Sequence, residues 1–196
     1  MKHVMTHLNL FPTVIGGFVD KDLVKRLLPI AEKIIAVPEN NTNTWGYKTT
    51  YSKDNMPLSE LGFFSNYAKE IGKKYLGSLG YKQINLYSEV FFSEMFEGDF
   101  HAAHEHPNTT LSGIVYLRVP EGSSKIRFYD PRFHIKVVNL PVIESNQANW
   151  QWYDIAPEEG LVLIWPGWLN HEVLKNQSKE GRLTAVFNLT TLSPEI

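Results

Sequence analysis

The chain contains no cysteine. That absence excludes disulfides, thiolate metal sites and cysteine nucleophiles, so any metal must be held by nitrogen and oxygen. Strong net charge is also missing: the formal value is −2, and no segment gathers Lys and Arg. The electrostatic footprint of a nucleic-acid binder is therefore absent. No apolar run reaches the roughly 20 residues that span a bilayer, and the start, MKHVMTHLNLFP, lacks the apolar core of a secretory leader. These features are compatible with a reducing compartment, and we expect a cytoplasmic protein with neither nucleic-acid nor membrane partners. No internal repeat, low-complexity tract or Pro/Gly-rich linker divides the 196 residues, so one domain over 1–196 is expected.

What is present falls into two parts. Helical periodicity is confined to the first 80 residues. Asp20 can cap KDLVKRLLPIAEKIIAV, where Leu23, Leu27, Ile30, Ala31 and Ile34 share a face. Pro29 interrupts it, which predicts a kink or two short helices. In LSELGFFSNYAKEIGKKYLGSLG, Leu61, Phe64, Ala68, Ile71, Tyr75 and Leu79 form a stripe, with Gly80 as C-cap. Between them, the polar stretch ENNTNTWGYKTTYSKDNMP carries Trp45, Tyr47 and Tyr51. It reads as a loop, or a strand with flanking loops, that either covers a site or only connects.

From Tyr81 onward the pattern is that of strands. INLYSEVFF, LSGIVYLRV, KIRFYD, HIKVVNL, WQWYDI, LVLIW and LTAVFNLTTL are short and rich in β-branched and aromatic residues, with turn formers between them. So many short strands predict a mainly β sandwich, jelly roll or barrel, with its core at about 81–192 and the N-terminal helices packed outside.

Three of the seven histidines lie in HAAHEHPNTTLSGIVYL. In a strand, residues i and i+2 share a face, so His104 and His106 would point together while Glu105 points away. His101 would face the other side unless a bulge turned it. Alone, such a pair is weak, and a solvent-exposed strand end would explain it. In PEEGLVLIWPGWLNHEV, a turn, a buried strand and a Pro–Gly turn deliver His171 to the start of a further strand. A third imidazole from a distant strand is what a facial metal site needs; the alternative is a histidine bonded only to backbone. Arg182 shares strand parity with Thr184, Val186 and Asn188, opposite to Leu183, Ala185, Phe187 and Leu189. An arginine directed into a barrel mouth would be costly unless it met an anion, and its fork suits a carboxylate; facing solvent, it would mean nothing.

HEHPNTTLSGIVYL, FYDPR, GLVLIWPGWLNHEV and RLTAVFN, in that order over roughly Asn85 to Leu192, resemble the Fe(II)- and 2-oxoglutarate-dependent dioxygenases. The likeness is to the small bacterial and phage 2OG-Fe(II) oxygenases and, more loosely, to prolyl 4-hydroxylases. It implies a double-stranded β-helix, a jelly-roll or cupin-like barrel. It also implies Fe(II) with O2, 2-oxoglutarate as cosubstrate, and hydroxylation of a substrate such as a peptidyl proline, another peptide side chain or a small molecule. Residue by residue, the resemblance makes His104 and His171 iron ligands and puts His106 where Asp or Glu is usual. Arg182 would meet the far carboxylate of 2-oxoglutarate, with Tyr116 and Thr184 as further contacts.

The departure from HxD or HxE matters. With three neutral imidazoles, the Fe(II)–2-oxoglutarate core would be formally neutral rather than −1, and the softer donor set also suits Zn, Cu and Ni. Either His106 ligates, or a bulge brings Glu105 in, or Glu89, Glu94 or Asp99 supplies a carboxylate. Trp168 beside His171 could border the substrate pocket. Two other readings remain: a cupin-type three-histidine enzyme without 2-oxoglutarate, and a non-catalytic β-sandwich interaction module. Asp130 and Arg132 read as a turn with an ion pair. His3, His7 and His134 receive no role.

Overall fold

The computed structural model describes residues 6–43, 45–51, 58–82, 84–132 and 140–191. Its elements are β1 (Gly16–Val19), α1 (Lys21–Ile35), a 3-10 turn (Pro38–Asn40), β2 (Lys48–Thr49), α2 (Leu58–Ser78), β3 (Tyr87–Met95), β4 (His101–His104), β5 (Leu111–Arg118), β6 (Ile126–Tyr129), β7 (Trp152–Ile155), β8 (Leu161–Pro166), β9 (His171–Val173) and β10 (Arg182–Thr190). The expected strand HIKVVNL and His134 lie almost wholly outside the described residues, as does His3.

All strand pairings are antiparallel. One sheet runs β1-β8-β5-β10-β3-β2 and the other β4-β9-β6-β7. The pleat sorts β10 as its alternation predicts. Leu183, Ala185, Phe187 and Leu189 join the core under the helices, with Phe64 and Ala68 of α2 and Leu27 and Ala31 of α1. Ile114, Tyr116, Leu163 and Trp165 point the other way and pack with Ile126 and Phe128 of the smaller sheet. The result is the expected mainly β, jelly-roll-like sandwich with helices outside the larger sheet.

Local chemistry explains the helix ends. Asp20 caps α1 by accepting from the Leu23 N–H at 2.8 Å, and its second oxygen accepts from the Tyr67 hydroxyl at 2.9 Å, which ties the start of α1 to α2. Beyond α2, Gly80 takes φ +84°, and the Tyr81 N–H closes back on the Leu76 carbonyl at 3.0 Å. Of the expected stripe, Leu79 is exposed and Leu76 is buried in its stead.

Pro29 does not divide α1, which runs as one helix. The carbonyl four residues back belongs to Lys25, and Lys25 and Pro29 are both exposed, so water can satisfy the acceptor that proline leaves open. The N-terminal region also contributes one strand that was not anticipated: β1 forms one edge of the larger sheet against β8. At the other edge β2 pairs with β3, which anchors the aromatic stretch as the strand-containing option. No helix among the described residues is long and apolar enough to cross a membrane.

Gly113 lies opposite Phe187 in the β5–β10 ladder, and a Cβ there would collide with the Phe187 ring. Gly113→Ala is therefore expected to cost about 1–3 kcal/mol through overpacking, read as a lower urea midpoint. An unchanged midpoint would show that the ring can move aside.

Candidate metal centre

β4 and β9 are neighbours, and their register sets His104 directly opposite His171. Each ring is held by its own strand. His104 Nδ1 lies 2.8 Å from the Ala102 carbonyl, and His171 Nδ1 lies 2.8 Å from the Leu169 carbonyl. A carbonyl oxygen can only accept, so both rings carry their proton on Nδ1 and keep the Nε2 lone pair free, the arrangement a metal ligand needs.

His106 arrives by a different route from the one strand parity predicts. It lies beyond β4, in the turn to β5, where its N–H donates to the Gly167 carbonyl at 2.9 Å and the Gly167 N–H donates to the Thr110 carbonyl at 3.1 Å. A Cβ on Gly167 would collide with the Thr109 backbone. Glycine is thus what lets the His106 turn lie against the Pro–Gly turn before His171. Ligand atoms of His104, His106 and His171 all lie within 4.8 Å of one another. Three neutral imidazoles at that spacing could hold a divalent cation.

The alternative acids are placed elsewhere. Glu94 pairs with Arg118 and Lys48, Glu89 accepts from Asn188 at 3.0 Å, and Asp99 accepts from the Phe96 N–H at 2.8 Å. Glu105 is exposed, at the rim of the same cavity.

Burial, reinforced by neighbouring imidazoles, pushes the pKa of His171 down to about 2, of His101 to about 3 and of His106 to about 4; burial also lowers that of His104. The rings are neutral at pH 7. Their folded pKa values lie below the unfolded value near 6.5, so below that pH the unfolded chain binds more protons than the folded one. The stability they allow is present above about pH 6.5 and is lost as pH falls toward 4. The melting temperature of metal-free protein is accordingly expected to drop across that window. A flat profile there would show that the rings are hydrated.

A cavity of about 300 Å³, within the size range of small-ligand pockets, contains the three histidines and extends along Arg182, Thr184, Val186 and Asn188. Arg182 is 1% exposed. Its Nη1 donates to the Ser124 carbonyl at 3.1 Å and its Nη2 to Met95 Sδ at 3.4 Å, while Nε has no partner among the described residues. Its guanidinium carbon stands 5.6 Å from the centre of the buried Tyr116 ring, whose hydroxyl is also unpaired. Burial lowers the pKa of the guanidinium and raises that of the phenol. A buried cation beside an unused hydroxyl is costly unless an anion meets both, and a carboxylate would. Thr184 donates its hydroxyl to the Ser93 carbonyl at 3.3 Å, so it is already engaged.

Trp45, Tyr47 and Tyr51 line the same cavity; Trp45 packs on both tyrosines, and Trp45 and Tyr47 pack on His101. The β4 register is irregular between His101 and His104, which is the bulge His101 required. Its ring stacks on that of His104, with centroids 3.9 Å apart. The sequence left open whether Tyr47 and His101 reach the site, and the structure places both on the cavity. Trp168 is displaced from the expectation: 54% exposed, it lines a separate groove with Val14, Tyr75 and Tyr81. Asp130 and Arg132 form the expected turn ion pair at 3.0 Å.

Residues 90–188, half of the chain, match the family described as "Putative 2OG-Fe(II) oxygenase". No curated protein sequence matches the chain. Among solved structures, it is similar to a Pseudomonas putida prolyl-4-hydroxylase at 14% identity, covering 92% of this chain and 94% of that one, with a TM-score of 0.64. It is also similar to a Trichoplax adhaerens prolyl hydroxylase in complex with a hypoxia inducible factor peptide fragment (11%, 90% and 83%, 0.65). A third is a non-heme alpha-ketoglutarate-dependent epimerase from nogalamycin biosynthesis (13%, 91% and 76%, 0.66). At these identities the structural likeness establishes the double-stranded β-helix fold, while the sequence match establishes lineage. The chain is a member of the 2OG-Fe(II) oxygenase family, enzymes that use Fe(II), 2-oxoglutarate and O2.

Proposed function

We propose that His104, His106 and His171 hold the Fe(II), that Arg182 with Tyr116 receives the distal carboxylate of 2-oxoglutarate, and that 1–196 acts as one hydroxylase domain on a peptide side chain, peptidyl proline being the first substrate to test. When bound, iron supplies coupling of 2-oxoglutarate decarboxylation to substrate oxidation. The chain's own residues do the rest. Backbone carbonyls of Ala102 and Leu169 hold two ligand rings in the tautomer that frees Nε2. Arg182 fixes one end of the cosubstrate through its free Nε and its charge. Thr184 forms the wall beside it, and the apolar lining of Ile114, Ile126 and Val186 keeps that end dry.

The observation that carries the proposal is the convergence of three free imidazole nitrogens and a buried, half-satisfied guanidinium on one cavity. The prolyl part rests on less: two of the similar structures are prolyl hydroxylases, and Trp45 and Tyr51 offer apolar faces at the cavity. The test is an anaerobic Fe(II) titration with 2-oxoglutarate, followed by visible absorbance, with His171→Ala as control. A charge-transfer band in the wild type alone is expected. Iron binding without a band would favour a three-histidine, cupin-type centre working without the keto acid. Proline-containing peptides that gain no oxygen atom in mass under turnover would remove the prolyl substrate and leave the centre standing.

A further inference from the structure

His101 is neither in the converging metal set nor explained by the fold, yet it is a half-buried imidazole placed against the ring of His104. Its two faces are both covered. His104 lies on one, with centroids 3.9 Å apart and planes at 24°, and Trp45 lies on the other at 5.0 Å and 25°. Rotation of the ring is fixed at its edge, where Nδ1 lies 3.0 Å from the Tyr47 hydroxyl. Tyr47 is only 3% exposed and packs in a small core with Met95 and Val173. A phenylalanine would fill the same slot, and the imidazole differs from it by the nitrogen that meets the Tyr47 hydroxyl and so limits rotation of the ring.

We propose that His101 is a positioning residue for His104, latched by Tyr47. The bond from His104 Nδ1 to Ala102 sets where that ring is anchored, and the stack sets its plane. This rests on reading His104 as a metal ligand. Because Tyr47 and Trp45 lead into β2, the stack also joins the metal centre to the edge of the larger sheet. Coupling of this kind is reciprocal: what seats the β2 segment tightens the metal, and the metal protects the segment. Backbone reporters are at hand, since the Thr49 N–H donates to the Thr42 carbonyl at 3.1 Å and the Thr50 N–H to the Phe92 carbonyl at 2.9 Å.

The experiment measures anaerobic Fe(II) affinity in full-length His101→Ala, His101→Phe, Tyr47→Phe and His104→Ala, and amide exchange at Thr49 and Thr50 with and without Fe(II). Orienting partners of metal-bound histidines are worth 10–100-fold in affinity, so His101→Ala should bind iron about tenfold more weakly, and His101→Phe, which keeps the stacked ring, within about threefold of wild type. Tyr47→Phe, which removes the same hydrogen bond and keeps both rings, should match His101→Phe. Fe(II) should slow exchange at both amides in the wild type and not in His101→Ala. Melting of the metal-free variants, measured alongside, separates a folding defect from an altered centre. Wild-type affinity and exchange in His101→Ala, beside a His104→Ala that no longer binds iron, would overturn the positioning role alone, as would equal losses in the Ala and Phe variants. Metal binding retained in His104→Ala would overturn the ligand reading, and this inference with it.

Discussion

Arg182→Ala is expected to weaken 2-oxoglutarate binding by about 100-fold or more, near 3 kcal/mol, while leaving Fe(II) affinity close to that of the wild type. The guanidinium is buried and its Nε is unpaired. Charge-assisted bonds to a carboxylate in such a place contribute about 1.5–3 kcal/mol each. Arg182→Lys should restore only part of the loss, because an ammonium cannot hold the Ser124 carbonyl and present a fork to the ligand at once. A second readout distinguishes binding from scaffolding. Arg182→Met fills the space without the charge and should not lower the melting temperature of cosubstrate-free protein, since the native cation is incompletely paired until an anion arrives. Calorimetric titration of the anaerobic iron form measures the first effect. Unchanged 2-oxoglutarate affinity would remove Arg182 from cosubstrate binding.

The second large effect concerns the ligand that departs from the family pattern. His106→Ala should lose Fe(II) by at least about 100-fold, beyond what orienting partners contribute, whereas Glu105→Ala should bind it as the wild type does. His106 has its pKa pushed down to about 4 by burial among the other rings, and Glu105 is exposed at the rim. His106→Asp supplies the usual carboxylate at the same point of the chain. It should keep the metal while shifting preference away from Zn and Cu toward harder cations. Metal content after reconstitution decides the matter. Loss in Glu105→Ala with retention in His106→Ala would show that the carboxylate turns inward on metal binding.

How much of this was legible depends on where each residue sits. Arg182 could be assigned to the interior because β10 is central and its pairing with β3 runs unbroken, so its parity carries through to Asn188. Asp20 was legible for a local reason, since a cap bonds within three residues. His104 and His171 declared themselves by strand context. His106 converges as expected, but through a turn fitted around Gly167, which no periodicity reveals.

The unreadable parts are those whose conformation is decided by distant partners. Only the pairing with β8 makes GGFV a strand, and two residues of β2 carry no period at all. A bulge between His101 and His104 reverses the facing of one residue, and nothing in HAAH announces it. Trp168 looked like a pocket residue because it is near His171 in sequence, yet the turn faces it the other way. Pro29 looked disruptive because sequence does not show which side of a helix meets water.

The direct opposition of His104 and His171 across β4 and β9 has a consequence for the chain as a polymer. The two residues are far apart in sequence, and a cation bonded to both would close a long loop in a protein that has no cysteine with which to do so. Because a labile ion leaves when the chain unfolds, its contribution is its binding free energy, about 2.7 kcal/mol at a free concentration of 100 times Kd. Iron here would act as a removable cross-link, so the fold would tighten or loosen with the supply of metal, and chelation would be felt by strands that never touch the ion.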